Sequence, residues 1–149
     1  MMSNSHRIIS MLILTMACAA CSRGHDSKTE TQMIAALTAH KTDQVTSIDL
    51  NTILPTGWTK VCVQTPYMLQ DVLEKEANAK LKHYKMITDD ANVTMWVFYA
   101  KDDPTYIVIP RATVMDFSSP NVNHNICTDP QQPQLNLTMI KDTKSYYFN

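Results

Sequence analysis

Glycine is almost missing: Gly24 and Gly57 are the only two in 149 residues. Glycine-rich loops that cradle nucleotide phosphates need several glycines in close order, so nucleotide binding by those routes is excluded. Neither sign of charge dominates. Lys and Arg number 13 against 14 Asp and Glu, a net charge of −1, which gives a polyanion such as nucleic acid nothing to bind. Clustered metal ligands are also lacking. His25, His40, His83 and His124 never fall at the i, i+4 spacing that presents two ligands on one helix face, so zinc binding is not expected. Beyond residue 21 only Cys62 and Cys127 remain, each without a nearby second cysteine for a redox pair or a Cys-rich metal site. No cofactor is implied. No apolar run reaches the roughly 20 residues of a membrane helix either.

The longest apolar run, residues 8–21, is nevertheless the most informative stretch. Arg7 precedes about ten apolar residues, and small residues follow just before a cysteine, the layout of a cleavable export signal. Cys18-Ala19-Ala20-Cys21 resembles the lipobox of bacterial lipoproteins. The resemblance implies cleavage after residue 20, attachment of diacylglycerol to the Cys21 thiol, and a membrane partner reached through that lipid. It departs from the family pattern at Cys18, where Leu is usual. Cys18 is the alternative acceptor, although Met16 stands where a small residue is favoured. An ordinary cleaved signal or an uncleaved anchor are the other readings. Ser22 after the cysteine, in place of Asp, implies sorting to the periplasmic face of the outer membrane.

Removing residues 1–20 leaves roughly 130 of the 149, enough for one domain with a core. Residues 22–30 are polar and read as a flexible tether, spanning at most about 30 Å. Met33, Ile34 and Leu37 fall at helical spacing in residues 31–41, a short helix packed on the domain. The tether and helix together occupy 21–44. The folded body, 45–149, opens with a strand around Ile48 and Leu50, a turn at residues 54–57, and a second strand with Trp58, Lys60, Cys62 and Gln64 on one face. Thr65 and Pro66 predict a capped helix over 67–83, with Leu69, Val72, Leu73, Ala77 and Leu81 as its apolar stripe. Residues 92–100 are apolar on both faces and predict a central strand. An antiparallel partner follows at 106–109, continuing to 117, with Pro110 marking an edge or a bulge. Residues 118–133 read as a long loop, and 135–148 as a closing hairpin. The fold class is α+β: an antiparallel sheet of about five strands packed by one main helix. The strand from Trp58 to Cys62 and the Thr65-Pro66-Tyr67 that follows it resemble a pattern in small Gram-negative envelope lipoproteins, a pattern that carries no chemistry.

Candidate sites are few. Asp89, Asp90, Asp102, Asp103 and Asp129 sit in predicted turns, where Asp bonds nearby backbone N–H groups. Asn92-Val93-Thr94 and Asn136-Leu137-Thr138 match a glycan acceptor but lie inside predicted strands behind a bacterial leader, and are discounted. Trp58, Tyr67, Trp96 and Tyr99 belong either to the core or to an aromatic binding face. Cys127 with His124 as base would make a lone nucleophile. The oxidising compartment implied by the leader instead favours a Cys62–Cys127 disulfide pinning the long loop. Loop residues Asn121, Asn123 and His124 are then candidate contacts for a periplasmic protein partner. No catalytic constellation appears, so the expectation is a non-enzymatic binding lipoprotein, for instance an inhibitor or immunity protein. The alternative is a structural or assembly lipoprotein of an outer-membrane or cell-wall machine.

Overall fold

A computed structural model describes residues 24–88, 91–111, 125–140 and 143–148. The class is α+β, as expected, with a Cys62–Cys127 disulfide. Among the described residues seven strands form two antiparallel sheets, where one sheet of about five was expected. Helix α1 (Ser27–Ala39) precedes β1 (Val45–Asp49) and a 3-10 turn; β2 (Trp58–Gln64) and helix α2 (Gln70–Ala77) follow. Then come β3 (Asn92–Tyr99), β4 (Thr105–Pro110), β5 (Cys127–Thr128), β6 (Gln134–Ile140) and β7 (Thr143–Tyr147). The larger sheet has the order β4-β3-β2-β5 and the smaller β1-β6-β7.

The alternation of β3 explains the layering. Val93, Met95 and Val97 join Val61, Val63, Ile107 and Ile109 in a core shared with Ile48 of β1 and with Leu135 and Leu137 of β6. That cluster fills the space between the two sheets, and Met33 and Leu37 of α1 enter it as well. On the other face Trp96 and Phe98 meet Cys62 and the α2 residues Leu73 and Ala77. Both faces of β3 are therefore buried, as its apolar run predicts.

The tether expectation needs correction. Residues 24–30 are built into the fold because Asp26 caps α1: its carboxylate accepts from the Thr29 N–H at 3.0 Å and from the Thr29 hydroxyl at 2.6 Å. Just before the helix, the backbones of Gly24 and Asp26 pair with Tyr106, and the Glu30 carboxylate accepts from the Val108 N–H at 2.7 Å. These contacts occupy the outer edge of β4, which would otherwise show open strand groups.

Three further corrections follow from local geometry. A register shift between Trp58 and Lys60 turns Trp58 away from the face of Lys60 and Cys62, into the core between the sheets. The helix expected over 67–83 is confined to α2. Thr65, Pro66, Tyr67 and Met68 form a turn, closed by the Met68 N–H on the Thr65 carbonyl, with Tyr67 at φ 61°. At the other end Asn78, left-handed at φ 53°, stops the helix. Leu81 stays buried beyond it because its N–H donates to Glu74 Oε1 at 2.8 Å. Finally, residues 118–133 are not wholly loop, since β5 pairs there with β2. Residues 112–117, expected to extend β4, lie outside the described residues.

Candidate functional site

Cys62 and Cys127 are direct partners across the β2–β5 pair, with Cα atoms 4.0 Å apart. The bond pins a two-residue edge strand to the middle of β2, and the Val63 N–H adds a backbone bond to the Ile126 carbonyl. Both cysteines are consumed, so the lone-nucleophile reading of Cys127 does not hold in this structure. Cys21, Asn121, Asn123 and His124 lie outside the described residues, as do Asp89 and Asp90. Asp102, Asp103 and Asp129 are in turns, and Asp129 accepts from the Gln131 N–H as an ordinary turn carboxylate. Among the described residues no group of three or more His, Cys, Asp or Glu gathers as a metal site, and no helix is long and apolar enough to cross a membrane.

The four aromatics do not form one face. Trp58 and Trp96 are buried on opposite sides of the larger sheet, Tyr99 packs against the inter-sheet core, and only Tyr67 is exposed.

What the larger sheet does form is a cleft. Helix α2 packs over the Cys62 part of its outer face, and beyond it the floor of the cleft is laid by the cross-strand neighbours Trp96–Tyr106 and Gln64–Thr94–Val108. Residues 83–88 run alongside as a wall, enclosing about 350 Å³, at the lower end of small-ligand sites. Floor and wall are tied together through Gln64. Its Oε1 accepts from Trp96 Nε1 at 2.8 Å, and its Nε2 donates to the Lys85 carbonyl at 2.8 Å. The Tyr84 hydroxyl donates to the Met68 carbonyl, and burial raises its pKa above the ordinary phenol value. Tyr106 leans on Trp96 with ring centres 5.1 Å apart, and the His25 ring lies 5.5 Å from that of Tyr106.

Compared with known proteins, the chain matches no family model, no curated protein and no solved structure. Its function is therefore argued from the geometry.

The cleft wall and the segment 67–72 that bonds to it carry four exposed apolar side chains, termed the strip: Tyr67, Leu69, Val72 and Met86 are 62%, 52%, 43% and 41% exposed. They come from two segments bonded to each other. The Tyr67 N–H donates to the Ile87 carbonyl at 2.8 Å and its hydroxyl to the Thr88 carbonyl at 2.9 Å. Those bonds hold a bulky residue in a left-handed backbone, a conformation costing on the order of 1–2 kcal/mol. Strain of this kind collects at binding sites.

Neither cleft nor strip was anticipated from the sequence. The available signal was Gln64 and Thr94, polar residues next to Cys62 and Trp96 on the faces of two strands that are otherwise rich in apolar residues.

Proposed function

We propose that this chain is a lipid-anchored envelope protein that works as a non-enzymatic binding module for a protein partner in the periplasm, in the manner of an inhibitor or immunity protein. The observation that carries the binding half is the strip of Tyr67, Leu69, Val72 and Met86 beside the cleft. Large apolar side chains gathered at one exposed place, next to a concavity, are the anatomy of an interaction surface. The anchoring half rests on the leader and Cys21, and a disulfide accords with an oxidising compartment. The assembly-lipoprotein reading shares the same anchor and differs only in the partner's identity.

The anchor has a geometric consequence. Only Ser22 and Arg23 lie between Cys21 and Gly24, where the described residues begin, so three Cα-to-Cα steps join them. A leash of that length reaches about 10 Å, so an acylated Cys21 holds the domain close to the bilayer. Metabolic labelling with a fatty-acid analogue tests the anchor. Lipid is expected on the wild type and lost in Cys21→Ala; lipid retained in that variant moves the attachment to Cys18, and no lipid on the wild type ends the anchored reading. A pull-down with the acylated protein then identifies the partner, a toxin or enzyme on the inhibitor reading and a machine component on the other.

A further inference from the structure

We infer that the domain seats on a lipid surface through the end of the larger sheet that carries the β3–β4 turn, so that Tyr67 and Met86 of the strip stand off the bilayer at the opposite end. This rests on the anchored reading above and adds to it which way the domain faces.

The direction of the N-terminal segment carries the argument. His25 pairs with Tyr106 in parallel. The Tyr106 N–H donates to the Gly24 carbonyl at 2.7 Å and the Asp26 N–H to the Tyr106 carbonyl at 2.9 Å, so residues 24–26 run along β4 in the direction of β4 itself. That strand starts at Thr105, directly after the turn of residues 100–104. Gly24 therefore lies level with the start of β4, and a Cβ built there would stand 3.5 Å from the Pro104 carbonyl oxygen. Cys21 precedes Gly24 by three Cα-to-Cα steps, a reach of about 10 Å. Lipid on its thiol thus enters the bilayer at this end of the sheet.

Other segments complete the same end. The pairing of Trp58 with Tyr99 brings the exposed Thr56 and Gly57 to it. The chain leaving α2 arrives there as well: Lys82 Nζ meets Asp103 Oδ1 at 2.7 Å, and Lys80 lines one hollow with Asp102. Lys80, Lys82, Lys101, Asp102 and Asp103 are all exposed. Charged groups suit the hydrated headgroup layer, where they keep their water. Because both signs are present, the acyl chains do the holding and headgroup charge adds little.

The strip belongs to the far end. From Trp58 to Gln64 β2 climbs about 20 Å at the usual rise of a strand. Tyr67 follows past that end, tied to Ile87 and Thr88. A seat at the β3–β4 turn leaves Tyr67 and Met86 open to a periplasmic partner while the lipid stays in the membrane. Bringing the strip to the headgroups would mean laying the sheet on its side, with strip and turn at equal depth.

The test places the acylated protein, purified from membranes, in phosphatidylcholine nanodiscs that contain a nitroxide-headgroup lipid, and reads amide broadening by NMR. Mass spectrometry first establishes the lipid on Cys21. The amides of Gly24, Gly57, Lys101 and Asp103 are expected to broaden, and those of Tyr67, Val72 and Met86 to stay sharp. Inserting about ten Gly and Ser residues between Ser22 and Arg23 is expected to cut the broadening at Lys101 about fivefold or more, because a long flexible leash lets the domain leave the surface. The lipid and the melting temperature should not change. Equal broadening at both ends, none at either, stronger broadening at the strip, or a pattern that the insertion leaves unchanged would each overturn the inference while the anchor stands. Absence of lipid from Cys21 would instead end the anchored reading, and this inference with it.

Discussion

Glu74 sits at the end of α2 as a clamp. Its Oε1 accepts from the Leu81 N–H and from Gln70 Nε2, both at 2.8 Å, and its Oε2 pairs with Lys80 Nζ at 2.7 Å. The Leu81 N–H, then Lys80 and Gln70, hold the carboxyl at about 2, down from 4.5. A depressed carboxyl favours the fold while ionised, so its contribution is complete above pH 4.5 and is lost as pH falls from there through about 2. Carbon NMR of the side chain is expected to show a midpoint near 2. The urea midpoint of the wild type should fall across that window more steeply than that of Glu74→Gln; a carboxyl titrating at its ordinary value would remove this clamp. Tyr67 makes a second prediction. Glycine accepts its left-handed backbone without strain, so Tyr67→Gly should leave stability within about 1 kcal/mol of wild type, strain relief offsetting the lost hydroxyl bond. The same change deletes the most exposed side chain of the strip, and partner capture should drop at least tenfold. Parallel thermal melts and pull-downs distinguish this from a merely structural role, in which both would fall together.

The disulfide is the main device at the level of elements, because β5 has only two residues and hydrogen bonds alone would hold it weakly. It joins positions 65 residues apart, and closing a loop of that size stabilises by roughly 4 kcal/mol in the chain-entropy account. Cys62→Ala with Cys127→Ala should therefore cost about 2–4 kcal/mol in urea unfolding, and the amides of Ile126 and Thr128 should lose exchange protection before those of β3. Protection unchanged at those two amides would show that β5 does not need the bond. The elements also show what was legible beforehand. The run of β3 announced a central strand because its residues are apolar on both faces, and Pro110 pointed to an edge or a bulge at β4, which is the outer strand of its sheet. The pairing of β1 with β6 was hidden, since strands some 90 residues apart carry no local sign of one another. The overlong helix came from reading Leu69, Val72 and Leu81 as one stripe. Tyr67 and Asn78, neither of them glycine, take the left-handed conformations that bound α2, and positive φ at such residues is rare enough that composition does not announce it.

For the whole molecule, the fold has three layers: the smaller sheet, the larger sheet, and α2 with the cleft. The β4 edge is occupied by residues 24–30, the segment nearest the proposed lipid. The disulfide was legible because residues 8–21 resemble an export leader, which implies an oxidising compartment and leaves two cysteines beyond it. The cleft was not, because it depends on where α2 stops and on how residues 83–88 return across Gln64. The central claim is that a partner protein binds at the Tyr67–Met86 strip of a lipid-anchored domain. It is tested most directly by placing a photo-reactive amino acid at position 86 of the full chain, in the cells that make it. Val45, exposed on the smaller sheet, is the control position. The account predicts that one envelope protein is captured from position 86, that it is absent from position 45, and that it is lost when Cys21→Ala abolishes the anchor. No capture from position 86, or the same proteins from both positions, would contradict it.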